Sequence, residues 1–229
     1  MADETPPDRV AELPLFPLGT VLFPGGLLPL QIFEVRYLDM VRRCHREGTP
    51  FGVVHLTEGH EVRKPGQSES FSEVGTLARI EQMESPQAGL ILVRCVGTQR
   101  FRLTRSEQRP HGLWVGDATL MAADLPVPVP DDLREVAREL QMLIERLQAQ
   151  IRAQVATQAG PDSEIDPLEL MPLRQPWRFD DCGWVANRWC DLMRMPMQIK
   201  QRLLELDNPL LRLELVSDLL SRASRKSTG

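Results

Sequence analysis

The residues best suited to chemistry are few. His55, Glu58, His60 and Glu61 gather two imidazoles and two carboxylates in one short stretch. On a strand end and a loop, that spacing matches no recognised ligand geometry, so it reads as a solvated loop and no metal is expected. Cys44, Cys95, Cys182 and Cys190 form no C-x-x-C pair and read as reduced, mostly buried thiols. His45 and His111 have no evident Ser or Cys partner in sequence, and no G-x-S-x-G elbow occurs. Lys64, Lys200 and Lys226 are the only lysines, and none lies in a serine–lysine peptidase setting. There is no G-x-x-x-x-G-K-[ST] phosphate loop. The expectation is a chain with no catalytic residues, no metal and no cofactor.

Charge offers a second kind of site. Arg94, Arg100, Arg102, Arg105 and Arg109 crowd the middle of the chain. Strand alternation could turn Arg100 and Arg102 to one outward face, making an anionic contact for RNA or for acidic client segments. The plainer reading is a solvated face. A net charge of -5 weakens any broad attraction to nucleic acid, and Tyr37 is the only tyrosine available for base stacking. Glu34, Arg36 and Tyr37 sit where a strand gives way to a helix, and an ion pair there would fix the helix start.

These groups need a scaffold. The 229 residues, 42% hydrophobic and 26% charged, suit one or two globular domains. Leu13 to Phe33 is uncharged and long enough to span a bilayer, but Pro14, Pro17, Pro24 and Pro29 with Gly19, Gly25 and Gly26 interrupt it, which argues against a membrane segment. The acidic, proline-bearing start resembles no secretory signal, so residues 1–12 read as a disordered tail of a cytoplasmic protein. Val21-Leu22-Phe23, a turn at Pro24-Gly25-Gly26, and Leu27 to Phe33 suggest two short strands, with Leu28, Leu30 and Ile32 sharing a face. Tyr37, Val41 and Cys44 predict a helix stopped by Gly48. Phe51–Leu56, Val74–Met83, Leu90–Gly97, Arg100–Arg105 and Leu113–Met121 predict further strands. Thr57 to Ser72 reads as a polar loop and Ser85 to Gly89 as a hairpin connection. Many short strands and one helix predict a β-rich domain over 13–124.

Pro126, Pro128 and Pro130 mark a boundary. Beyond it the period becomes 3.6. Leu133, Val136, Ala137, Leu140, Ile144, Leu147 and Ile151 form one stripe on a long helix starting near Asp131. Shorter helices should begin near Asp181, at Pro196 and after Asp207-Asn208-Pro209. This gives a helical domain over 125–221 and a mobile tail over 222–229. Trp184, Trp189, Met193, Met195 and Met197 read as bundle core, or else as an adaptable binding surface.

Several of these motifs resemble one family. Leu13-Pro14-Leu15-Phe16-Pro17-Leu18, Val21-Leu22-Phe23-Pro24-Gly25, Leu28-Pro29-Leu30 and Ile32-Phe33-Glu34 with Arg36-Tyr37 look like the opening signature of the Lon substrate-binding domain. Val74-Gly75-Thr76-Leu77-Ala78-Arg79-Ile80 and Gly97 with Arg100-Phe101-Arg102 resemble later elements of that family. Trp184, Ala186, Lys200-Gln201 and Leu203-Leu204-Glu205 extend the likeness into the helical half.

The resemblance implies an α+β chain, a PUA-like pseudo-barrel followed by a helical bundle. It implies a stand-alone, non-catalytic module that recognises polypeptide, without the ATPase and peptidase that accompany this domain in Lon. Candidate peptide-binding residues are Phe16, Phe23, Pro24, Gly25, Glu34, Arg36 and Tyr37. Expected partners are an unfolded or specific client polypeptide, with a separate protease or chaperone and a homodimer as further options. RNA binding through Arg100 and Arg102 is the alternative.

Overall fold

The computed structural model describes residues 9–59, 69–159 and 166–227. Six strands come first, interrupted by one helix: β1 (Arg9–Leu18), β2 (Leu27–Ile32), α1 (Val35–Glu47), β3 (Phe51–Glu58), β4 (Ser70–Gln87), β5 (Leu90–Gln108) and β6 (Trp114–Leu120). Four helices follow: α2 (Arg134–Ala159), α3 (Cys182–Leu192), α4 (Met197–Glu205) and α5 (Pro209–Ser227). Two compact units result. The first holds the residues up to Ala123 together with Arg194–Glu205, and the second holds Asp124–Met193 with the residues from Leu206 onward. The chain is therefore α+β, and α4 packs with the strands rather than with the other late helices.

In the first unit the sheet order is β2-β5-β4-β3-β1-β6, and β5 also pairs with β6. That last pairing closes β5, β4, β3, β1 and β6 into a ring and leaves β2 as an appended edge. The ring closes only in part. β1 pairs with β6 as far as Leu15, and from Phe16 to Leu18 its only strand partner among the described residues is β3. The core follows this split. Leu13, Leu15, Val54, Leu77, Phe101, Leu103 and Ala118 fill the closed end. A second cluster, including Phe16, Leu28, Ile32, Tyr37, Met40, Val41, Phe51 and Cys95, fills the open end, where α1 supplies the missing wall.

Turn chemistry sets these positions. Gly25 takes φ 75 and donates its N–H to the Gly97 carbonyl at 2.7 Å. A Cβ on Gly97 would lie 2.3 Å from the Phe23 carbonyl oxygen, so only glycine lets the β2 turn seat against β5. Gly48, at φ 66, ends α1 as predicted, and Ala88-Gly89 makes a two-residue hairpin within the expected connection.

Several expectations need correction. Val21–Phe23 forms no strand; it is buried loop leading into the turn. Leu90–Gly97 and Arg100–Arg105 are one strand, continued through a bulge against β4. Arg9 to Glu12 of the expected tail belong to β1, because β6 pairs with them; residues 1–8 lie outside the described residues. Likewise α5 runs through 222–227, so those residues are helical rather than a loose tail.

In the second unit Leu133, Val136, Ala137, Leu140 and Ile144 are buried as the stripe predicts, whereas Leu147 and Ile151 are half-exposed. Asp181 caps α3 by accepting from the Gly183 and Trp184 amides. Trp189 is buried and donates to the Val136 carbonyl, while Trp184 stays half-buried between Trp177 and Phe179. Buried Arg212 holds Asp124 and the Asn187 side chain together.

Two outcomes follow from this packing. Gly97→Ala should lower the unfolding free energy by about 2–3 kcal/mol, read from the urea midpoint. Second, His55 is buried in β3, its Nδ1 has no hydrogen-bond partner among the described residues, and burial lowers its pKa from the ordinary 6.5. The folded chain keeps this imidazole neutral while the unfolded chain takes up a proton below 6.5. Its contribution is thus intact above that pH and declines as pH falls below it. Urea midpoints measured on both sides of pH 6.5 should show that loss, and His55→Leu should reduce it.

Candidate functional site

Where the ring fails to close, a groove of about 210 Å³ lies between the end of β1 and the edge of β2. Phe16 and Leu18 line one wall, Pro29 to Phe33 line the other, and Glu34 and Tyr37 close one end. Of the lining, Phe33 is 57% exposed, and Val35, two residues on at the start of α1, is 73% exposed. Strand alternation explains Phe33: Leu28 and Ile32 point to the core, so the next residue turns outward. Helical period explains Val35, since Tyr37, Leu38, Val41 and Cys44 hold the inner face of α1.

The groove floor is tied together by side-chain contacts. The Tyr37 ring stacks on Phe16 with centroids 3.9 Å apart and planes at 21°. The Arg36 guanidinium lies over the Tyr37 ring at 4.5 Å. Arg36 itself is buried and tied in several directions. Its Nη1 donates to the Gly112 carbonyl at 2.7 Å, and its Nε donates to Glu34 at 3.2 Å. Its Nη2 lies 3.6 Å from Glu69, whose other oxygen accepts from the Trp114 indole at 2.7 Å. A buried guanidinium needs this compensation. The network joins the start of α1 to β6 and to the entry of β4.

Of the seven expected peptide-binding residues, Phe16, Glu34 and Tyr37 line the groove. Phe16 and Tyr37 are core residues that show it only a surface, and Phe23 is wholly buried. Pro24 and Gly25 form the turn at the far end of β2 and do not line the groove. Arg36 is structural, as the ion-pair reading expects, although its reach to Glu69, Gly112 and Trp114 had no local signal in the sequence. Phe33 and Val35, both exposed apolar side chains, were not among the expected site residues. The signal was present, an apolar residue on the outward side of each period.

The arginine face is corrected. Arg100 is 4% exposed and donates to the Leu204 carbonyl of α4 at 2.9 Å. Arg102, two residues on, is exposed, so the two do not make one outward patch. Arg105 pairs with Glu107, and Arg109 pairs with both Glu107 and Glu12.

Among the described residues no cluster of three or more His, Cys, Asp or Glu side chains could hold a metal; His60 and Glu61 lie outside them. All four cysteines are buried, and burial pushes the Cys95 thiol up to about 12 and that of Cys182 up to about 11, far from nucleophilic use at neutral pH. Among the described residues no helix is long and apolar enough to cross a membrane.

With this geometry in hand, comparison with known proteins is informative. The family model described as ATP-dependent protease La (LON) substrate-binding domain matches residues 12–222. Lon protease of Anaeromyxobacter dehalogenans is 25% identical over 224 residues, which is 94% of this chain and 24% of the relative. Protein cereblon of Danio rerio is 32% identical over 110 residues, 46% of this chain and 24% of that protein. The chain thus spans about a quarter of the length of these relatives. Among solved structures, the Lon N-terminal domain protein from Xanthomonas campestris superposes with a TM-score of 0.64 at 29% identity, covering 91% of this chain and 98% of that one. The N-terminal domain of Mycobacterium avium complex Lon protease shares the fold, with a TM-score of 0.53 at 15% identity over 93% of this chain and 98% of its own.

Replacing Arg36 by Met should strand Glu69 without its counter-charge and cost about 3 kcal/mol of stability. Adding Glu69→Gln should recover part of that loss in a double-mutant cycle followed by thermal melting.

Proposed function

The chain belongs to the Lon substrate-binding domain family, and on that premise we propose that its groove captures apolar segments of unfolded polypeptide. The observation that carries the reading is Phe33, an exposed apolar side chain in the groove lining, with exposed Val35 two residues on. Exposed apolar side chains next to a preformed apolar concavity mark contact sites on soluble proteins. The family match is to a substrate-binding domain, which supports recognition of polypeptide as the function. On this reading the chain serves as a cytoplasmic adaptor or holdase that passes clients to a separate protease or chaperone, alone or as a homodimer. No observation favours RNA, since Arg100 is covered and Arg105 and Arg109 are paired with carboxylates.

The test is binding of a fluorescently labelled unfolded protein, titrated with salt, beside a short RNA of mixed sequence. Saturable, salt-tolerant binding of the protein alone is expected. Phe33→Ser combined with Val35→Ser should weaken it by about tenfold, a loss of ~1.4 kcal/mol, without lowering the melting temperature. Salt-sensitive RNA binding with no affinity for unfolded protein would overturn the reading.

A further inference from the structure

The groove is lined by Pro29, Leu30, Gln31, Ile32 and Phe33, five residues in succession. Side chains of a strand alternate between its two faces. A groove that touches every one of five consecutive residues therefore runs along the strand's edge, not across a face. Among the described residues that edge is free: β2 stands at the end of the sheet order and pairs with β5 alone.

The register says which backbone groups the edge presents. The Gly97 N–H donates to the Gly26 carbonyl at 2.9 Å, so Gly97 directs its polar groups toward the β2 side. The ladder from Leu27↔Val96 to Ile32↔Ile91 continues without a shift. Hydrogen-bonded pairs alternate along an antiparallel ladder, so Leu28, Leu30 and Ile32 spend their backbone groups on β5. Leu27, Pro29 and Gln31 aim theirs outward, the last two at the groove. Pro29 sits where the missing N–H costs the sheet nothing, as proline on an edge strand must. The edge offers a donor and an acceptor at Gln31, an acceptor alone at Pro29, and a donor and an acceptor at Leu27.

We propose that the client binds by strand addition, as an extended segment hydrogen-bonded to the outer edge of β2 with Gln31 as its principal pairing residue. This deepens the reading that the groove takes unfolded polypeptide and rests on it. An alternating row of donors and acceptors is matched only by another extended backbone, and that defines the occupant. Main-chain bonding recognises any sequence able to extend, while Phe33 and Val35 favour apolar side chains beside the added strand. Pro29 limits the addition to a short stretch, because no donor exists there to answer a client carbonyl.

The experiment uses the full chain and a labelled peptide of alternating valine and threonine flanked by lysines, with two derivatives N-methylated on one or the other alternate set of residues. Strand addition predicts that one derivative loses binding by at least about tenfold while the other binds as the parent does. Gln31→Pro, which removes the outward donor at a position equivalent to Pro29, should likewise abolish binding with an unchanged melting temperature. Pro29→Ala restores a donor and should tighten binding by about fivefold, a gain that misfolding cannot imitate. If both methylated peptides bind like the parent, the groove reads side chains only and strand addition is wrong. If the unmethylated parent itself fails to bind, the polypeptide reading fails and takes this proposal with it. If no peptide binds but the chain dimerises and Gln31→Pro abolishes the dimer, the occupant is a second copy and the proposal is overturned.

Discussion

The stacking of Tyr37 on Phe16 is the contact on which the amino-terminal unit depends. β1 leaves β6 after Leu15, so the ring of strands stands open exactly where the apolar residues of its upper core would meet water. An added strand could close such a gap, but the chain instead turns at Glu34 and lays α1 across it. Tyr37 is the side chain that reaches β1 from that helix, and Arg36 fixes its angle from above. The buried guanidinium is tolerated because Glu34, Glu69 and the Gly112 carbonyl surround it, and those partners come from three distant parts of the chain. Loss of any one would weaken the compensation of a buried charge. The groove is the remainder of the gap, the part α1 does not fill.

Much of this was legible in the residues. Alternation at Leu28, Leu30 and Ile32 placed β2 and its inner face. Tyr37, Val41 and Cys44 with the stop at Gly48 placed α1, and Asp181 and Pro196 placed the starts of α3 and α4 closely. These are local signals, periods and caps whose physics acts within a few residues. The long opening motif pointed correctly to the Lon substrate-binding family. The failures share a different cause. β5 looked like two strands because Gly97 and Thr98 weaken the local pattern, yet pairing with β4 on one side carries the strand through. Arg9 to Glu12 looked like tail because they continue an acidic, proline-bearing start; pairing with β6 makes them strand. Arg100 looked solvent-facing because alternation cannot know that α4, a hundred residues later, will cover it with the Leu204 carbonyl. Tertiary contacts override local propensity in each case.

The candidate site divides in the same way. Residues chosen for conspicuous chemistry, such as Phe23 and Arg36, proved to be construction. Residues that broke a pattern, Phe33 and Val35, proved to be surface. An apolar residue on the outward side of its own period gains little from folding, since Phe33 keeps 57% and Val35 73% of their exposure. The aromatic and β-branched character of these two therefore calls for an explanation outside the core, and contact with another polypeptide supplies one.

Such a surface carries a hazard. A free, apolar strand edge invites pairing between identical chains, and proteins usually blunt edges with charge, proline or a covering element. β2 has no charged residue between Leu27 and Ile32, and α1 covers its end without covering its edge. Pro29, at the centre of the strand and on its outward register, is the one guard present. It removes a donor from the edge while leaving the acceptors, which interrupts a long ladder yet permits a short one. A second copy would bring its own Pro29 to the same short stretch, so two such edges pair poorly with each other. A client lacking proline at that point has no such defect. The same residue thus discriminates against the chain's own edge and for foreign extended backbone, and it does so through one absent hydrogen atom rather than through any shape that a client would have to match.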